Sequence, residues 1–397
     1  MPAASVAAAL RDGVGVDPGA LAERIRSGAP LTVLDVRDRD EFESWSIDGP
    51  GVTAAQVPLM RFVQAEVAGD PAELVAGLDK PIVVVCARGE SSDHVAELLR
   101  EAGVDAVNLE GGMTGWARVY RAVEVDRSPS PSPPAVSVLQ YQRPSSGCVA
   151  HLVVAGDEAA VVDPLAAFAE RYAADAAARG ATLRYAVDTH VHADHVSGVR
   201  DVAAATDAAA VLPAGARDRG LDFEARLLAD GESLPLGETT LEAVHAPGHT
   251  TEMTALRVGD LLLTGDLVFL DGVARPDLET GDEGARDAAG RLYRTLTGWL
   301  ADQPREAVVA PGHYGSGTDP APDGTYTATV GDLFDRLSVL SLDESTFVPR
   351  VGEDLPPRPA NYERIVAINL GRDAASEDEA FELELGPNNC AVTSTAD

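Results

Sequence analysis

Thr189-His190-Val191-His192-Ala193-Asp194-His195 places three imidazoles and a carboxylate within six consecutive positions, directly after the apolar run 183–187. Alternation along an extended segment points His190 and His192 the same way, like two prongs. Asp194 and His195 then fall on a turn that enters a helical stretch over 196–205. Imidazole and carboxylate donors together suit zinc, iron or manganese.

Further single donors follow downstream, each in a turn after an apolar run. They are His249 in His245-Ala-Pro-Gly-His-Thr250, Asp266 in Leu261-Leu-Leu-Thr-Gly-Asp266 and His313 in Val308-Val-Ala-Pro-Gly-His313. A glycine precedes each candidate and permits the sharp turn that aims a side chain across a strand end. The ordered series resembles the metallo-β-lactamase superfamily over about residues 137–350. His245 fits no position of that pattern and reads as a packed or surface histidine.

At 397 residues the chain is long enough for two or three domains, and its 45% hydrophobic content fits a globular protein. Against 31 basic residues stand 64 acidic ones, a net charge of −33, and Lys80 is the only lysine. Such a surface suits high salt, where charge repulsion is screened over roughly 3 Å at 1 M. A halophile's cytoplasmic protein is the resulting expectation, with nucleic acid and membranes excluded as partners. No run of 18 apolar residues occurs, and residues 1–10 lack the basic region of a signal peptide. Their alanines are expected to form a surface helix continuing through 17–27. Three scattered cysteines, Cys86, Cys148 and Cys390, make no disulfide framework.

Residues 126–134, Asp-Arg-Ser-Pro-Ser-Pro-Ser-Pro-Pro, form neither helix nor ladder and read as a semi-rigid spacer. The expected division is a first domain over 1–125, a linker over 126–136, a second domain over 137–371 and an acidic, partly solvated tail over 372–397. In the first domain, strands at 31–36 and 81–86 alternate with helices at 20–26 and 91–101, which indicates a parallel α/β sheet. In the second, strands at 137–142, 150–155 and 158–163 precede a helix near 165–179. This α/β order suits a four-layer αββα sandwich.

Cys86 ends an apolar strand and is followed by Ala87-Arg88-Gly89-Glu90-Ser91-Ser92 and a helix. A loop between strand end and helix start turns its amides inward, and the helix dipole adds positive potential. A thiol held there is expected to be acidified and nucleophilic. With Leu34-Asp-Val-Arg37, Glu41-Phe42 and Glu110-Gly-Gly-Met-Thr-Gly-Trp116, this loop resembles the rhodanese family over about residues 15–122. The resemblance implies sulfane sulfur carried on Cys86, with the loop amides and Arg88 around it. Two features depart from the family pattern: Glu90 puts a negative charge in a loop that receives anionic donors, and Trp45-Ser-Ile-Asp-Gly-Pro50 matches it only loosely.

Two chemistries share the second domain's motifs. Hydrolysis of thioesters of the hydroxyacylglutathione type uses two zinc ions, and persulfide dioxygenation uses one ferrous iron. The segment Gly272-Val-Ala-Arg-Pro-Asp277, the stretch Leu355-Pro-Pro-Arg-Pro-Ala-Asn-Tyr-Glu-Arg364 and the fused sulfur-carrying domain favour a resemblance to persulfide dioxygenases. That resemblance implies iron on His190, His249 and Asp266. His192, Asp194, His195 and His313 then act as supporting groups, or as ligands that complete a two-metal site. Arg275 is expected to anchor a substrate carboxylate or to pair with Asp277 at the surface. The implied partners are a low-molecular-weight thiol persulfide and O₂, with a sulfur-carrier protein as a further one, and a homo-oligomer is expected. Cys148 reads as a buried core thiol, and Cys390 as an incidental cysteine at a disordered end.

Overall fold

The computed structural model describes residues 15–126, 136–315 and 317–393, together with Val6, Ala8 and Ala9. The expected linker and most of the expected first helix lie outside these residues. The chain divides into two compact units, residues 1–121 with 143–146, and residues 122–142 with 147–397.

In the first unit, four parallel strands run in the order Val52–Gln56, Leu31–Asp35, Ile82–Val85 and Ala106–Asn108. Alternate strand residues enter opposite cores. Val33, Val83, Val85 and Val107 pack with Leu21, Met113 and Trp116, whereas Leu34, Val84 and Ala106 pack with Phe62, Val95 and Leu99. Burial on both faces explains the unbroken apolar runs. The helix Pro18–Arg26 falls within the expected 17–27 and is capped by Asp17, which accepts from Ala20 N at 3.0 Å, with Pro18 in the first turn. Val6, Ala8 and Ala9 are helical, with Val6 and Ala9 buried in this core.

The second unit is an αββα sandwich. One sheet orders its strands Arg226–Leu228, Ala209–Pro213, Thr182–Val187, Glu158–Val162, Val149–Ala155, Val136–Gln142 and Arg121–Glu124. The other orders Ser233–Leu236, Thr239–His245, Thr254–Val258, Leu261–Gly265, Val308–Pro311 and Ala328–Thr329. Val138, Val153, Val162 and Val211 from the first sheet meet Leu241, Leu256, Leu263 and Ala310 from the second in one dry layer. Helices Ala169–Ala178 and Val199–Ala205 cover the first sheet, and Gly281–Thr295, Val330–Arg336 and Glu344–Gly352 cover the second. Leu261–Gly265 and Val308–Pro311 are parallel neighbours, so Asp266 and His313 leave the sheet at the same edge.

The last segment is largely exposed over 372–379, as expected, but it is not a disordered end. Glu377–Leu383 is helical, with Phe381 buried, and Ala391–Thr393 pairs antiparallel with Gly272–Ala274. Its apolar positions, rather than its many carboxylates, decide the outcome.

Candidate metal centre

His190, His249 and Asp266 converge from three separate loops, and all are buried. His190 Nε2 lies 3.9 Å, and His249 Nε2 3.7 Å, from Asp266 Oδ2. These separations exceed a hydrogen bond and fit donors arranged around one cation. His190 Nε2 and Asp266 Oδ2 are buried without a hydrogen-bond partner among the described residues, a costly arrangement unless something else satisfies them. The donors therefore fit a divalent metal ion.

Each donor is oriented from behind. Thr189 Oγ1 sits 3.0 Å from His190 Nδ1 and donates to Asp163 Oδ2 at 3.0 Å. His249 Nδ1 meets the carbonyl of Arg275 at 2.8 Å, and Asp266 Oδ1 meets His313 Nδ1 at 2.7 Å. Such partners set which ring nitrogen faces the metal. The glycines have a similar local reason. Gly265 takes a φ of 46°, and a Cβ there would come within 2.4 Å of Thr189 Oγ1. A Cβ on Gly312 would lie 2.7 Å from Asp266 Oδ1.

Asp194, His195 and His313 gather next to this set, and Cys148 joins them. Asp194 Oδ2 accepts from the Cys148 thiol at 3.1 Å, and lies 2.9 Å from His313 Nε2 and 3.2 Å from His195 Nδ1. Cys148 is thus buried in a polar cluster and not in the apolar core expected for it. His192 turns elsewhere, with Nε2 3.1 Å from Asp163 Oδ1 and 3.7 Å from Asp188 Oδ1. Its ring still lies beside His190, centroids 4.2 Å apart, but its closest donor group is with Asp163 and Asp188.

Burial and neighbouring charges together set the protonation of these groups. Burial holds His190 well below the usual imidazole range, reinforced by His192 and His249. Burial also lowers His249, against the opposing pull of Asp266. For Asp194, burial is outweighed by His195 and His313, which hold the carboxyl well below its ordinary range. His313 stands between Asp266 and Asp194, and they raise it well above its ordinary value despite burial. Burial raises Asp188 to about 6.

Arg275 does not face solvent or a substrate. Its guanidinium is 1% exposed and donates to Asp277 Oδ1 and Oδ2 at 2.7 and 3.0 Å, and to the carbonyls of Pro356, Pro357 and Asn389 at 2.8, 2.8 and 2.9 Å. All five N–H donors are committed, so the expected pair with Asp277 forms, but buried rather than at the surface, and no donor is left to anchor a substrate carboxylate. Because the Arg275 carbonyl orients His249, the residue couples that ligand to the last third of the chain. Asn369 acts similarly: its carboxamide donates to the carbonyls of His192 and His195 at 3.0 and 2.9 Å and accepts from Ser197 N at 2.9 Å. Glu384 accepts from Val196 N, and Glu252 from Val191 N. No local motif marks Asn369, Glu252 or Glu384 as supports of the histidine loop. His245 is exposed at a strand end, its Nε2 2.8 Å from the Thr251 carbonyl. Cys390 is buried with its thiol beside Asp266 and His313, not at a free end.

In the first unit, Cys86 ends its strand with its sulfur turned into the expected loop. Gly89 N donates to Cys86 Sγ at 3.1 Å, and the Ser92 hydroxyl sits 3.2 Å from that sulfur and 2.7 Å from Asn108 Oδ1. Gly89 and Ser92 are buried, whereas Ala87, Arg88 and Glu90 are exposed and Ser91 is intermediate. Met113 N and Thr114 N donate to the carbonyls of Cys86 and Ala87, which gives the Glu110–Trp116 motif its role as the loop's support. Asp35 and Arg37 form a buried ion pair at 2.6 Å, and Arg37 also reaches the Trp45 carbonyl.

Residues 144–313 match the metallo-β-lactamase superfamily, and residues 17–119 match the rhodanese-like domain. The chain joins a rhodanese-like domain to a metallo-β-lactamase domain. The metallo-β-lactamase domain is similar to human mitochondrial persulfide dioxygenase ETHE1, 28% identical over 54% of this chain and 78% of that protein. It is equally similar to a hydroxyacylglutathione hydrolase of Rhodospirillum rubrum, 28% identical over 56% of this chain and 82% of that one. The crystal structure of ETHE1 from Myxococcus xanthus superposes with a TM-score of 0.52 at 25% identity, covering 59% of this chain and 98% of that one. Among the described residues, no helix is long and apolar enough to cross a membrane.

Proposed function

We propose that the metallo-β-lactamase domain is an iron-dependent persulfide dioxygenase and that the rhodanese-like domain carries sulfane sulfur on Cys86. The overall reaction is R–S–SH + O₂ + H₂O → R–SH + SO₃²⁻ + 2H⁺. The observation that carries this reading is the convergence of two imidazoles and one carboxylate, His190, His249 and Asp266, with His190 Nε2 and Asp266 Oδ2 buried and without a hydrogen-bond partner among the described residues. Two histidines and one carboxylate are the donors of a ferrous site that keeps positions open. Bound there, ferrous iron supplies the redox chemistry that joins dioxygen to a persulfide sulfur.

The protein's own contribution is orientation and exclusion of water. Thr189 and the Arg275 carbonyl hold His190 and His249 by their rear nitrogens, and His313 holds Asp266. Ala193, Phe269, Ala274 and Leu278 form a dry apolar cluster next to the donors. At Cys86, the Gly89 amide and the Ser92 hydroxyl face the sulfur, where they can stabilise a thiolate or the inner sulfur of a persulfide.

A two-zinc thioester hydrolase is the second reading, supported by the Asp194–His195–His313 group and by the Rhodospirillum relative. Anaerobic loading with ferrous iron followed by oxygen-electrode and sulfite assays with a thiol persulfide separates the two. Oxygen uptake matched by sulfite is the expected result. Neither signal in protein of verified iron content, beside robust thioester hydrolysis, selects the hydrolase.

A further inference from the structure

We propose that the sulfur carrier received by the metal centre bears an ammonium group and no net negative charge, and that it lodges in a cleft beside the donors. The cleft encloses about 470 Å³, a size that suits a small thiol. Leu278, Tyr362 and Val366 line it, and the same three residues belong to the apolar cluster with Ala193 and Ala274 that adjoins the metal donors. Cleft and metal centre therefore share a wall.

The charges lining the cleft decide what it admits. Asp218, Asp277, Glu279 and Glu363 face Arg219 and Arg372, four carboxylates against two guanidiniums and a net charge of −2. Two of these groups are already spent. Asp277 accepts from Arg275 and Arg358, and Arg219, its side chain 9% exposed, donates to Glu252 Oε1 at 2.8 Å. Glu279 accepts from Thr251 N and Oγ1 at 2.6 and 2.7 Å and stands 3.8 Å from Arg219 Nε. Glu363 accepts from the Tyr362 hydroxyl at 3.1 Å, a neutral donor that leaves its charge uncompensated. Asp218 and Arg372 make no side-chain hydrogen bond or ion pair among the described residues. Glu363 and Asp218 are thus left to receive an ammonium, and Arg372 to receive one carboxylate. Arg372 supplies the anchor that Arg275, with every donor committed, cannot. A second carboxylate on the carrier would add to the surplus negative charge, so a dicarboxylate thiol is disfavoured. That the occupant is a persulfide carrier rests on the dioxygenase reading, whereas its charge rests on the cleft alone.

Ligand-observed NMR with the full chain under anaerobic conditions tests the charge without turnover. The probes are cysteine, cysteamine and 3-mercaptopropionate. They share one thiol and carry both charged groups, the ammonium alone or the carboxylate alone. Cysteine and cysteamine are expected to bind at least roughly fivefold tighter than 3-mercaptopropionate. Glu363→Gln, at an exposed position, should weaken both amines by about three- to fivefold and leave 3-mercaptopropionate unchanged. Arg372→Gln should weaken cysteine and spare cysteamine. Binding of 3-mercaptopropionate as tight as that of cysteamine, amine binding indifferent to Glu363→Gln, or no binding by any of the three overturns the proposal. Discrimination among the thiols by a chain that gives no sulfite with iron and oxygen overturns the dioxygenase reading and leaves the carrier's charge standing.

Discussion

The Cys86 loop and the metal centre are built on opposite plans. The loop's polar contacts to sulfur come from Gly89 and Ser92, within six residues of the cysteine. The metal donors come from loops around residues 190, 249, 266 and 313, and their supports reach to Asn369 and Asn389. A site made of consecutive amides depends on one turn. A site made of distant side chains depends on the packing of the whole sandwich, and remote substitutions should damage it first.

The largest effects should separate the two plans cleanly. Cys86→Ser is expected to abolish sulfur loading of the first domain, read by mass spectrometry, while leaving the iron content unchanged. Asp266→Ala is expected to do the reverse, cutting bound iron and oxygen uptake by at least about 100-fold. Loss of both properties in either variant would break the comparison.

Next in size is Arg275→Met. It leaves Asp277 buried beside only Arg358 and frees three carbonyls, so a loss of about 3–5 kcal/mol in denaturant unfolding is expected. Iron affinity should fall with it, because the residue-275 carbonyl that meets His249 Nδ1 is no longer held in place by the guanidinium contacts. A variant with parental stability and parental iron affinity would show that the long-range clamp does nothing.

A smaller, pH-dependent effect comes from His151, on the central strand Val149–Ala155. Burial lowers its imidazole to about 4, below its ordinary 6.5. Between those values the unfolded chain binds more protons, so this share of stability is complete above about 6.5 and falls as pH drops toward 4. The total is about 3 kcal/mol. His151→Gln should remove that share of the slope in urea midpoints measured from pH 7 to 4; an unchanged slope would assign it elsewhere. The smallest effect belongs to Glu90→Gln, which removes an exposed charge at the start of the Cys86 helix. A roughly two- to fivefold lower KM for thiosulfate is expected, and a raised KM would mean that Glu90 assists the donor.

The same contrast explains what was legible in the sequence. Strands, layers and the order of motifs could be read because apolar period and ligand spacing are local signals. The Cys86 loop was equally readable, since its partners are its neighbours. The pair of Arg275 with Asp277 is legible, but its burial is not, because the three carbonyls that take its other protons lie 81 to 114 residues away. Cys390 reads as incidental because it follows a Gly-Pro-Asn-Asn turn near the end of the sequence, although strand pairing at Ala391–Thr393 draws it beside Asp266. Asn369 carries no motif at all, since one carboxamide holding three backbone groups is defined only by where the helix Tyr362–Asn369 lands.

The guanidinium of Arg275 also sets a clock. During synthesis, Arg275 leaves the ribosome long before Pro356, Pro357 and Asn389 exist to receive its protons. At translation rates of roughly 5–20 residues per second, that interval lasts about 5–25 seconds. Until it ends, Asp277 is the one hydrogen-bond partner of that guanidinium already made. The histidine ligands can meet metal before they are locked, so the cation captured first depends on what the surroundings offer in those seconds.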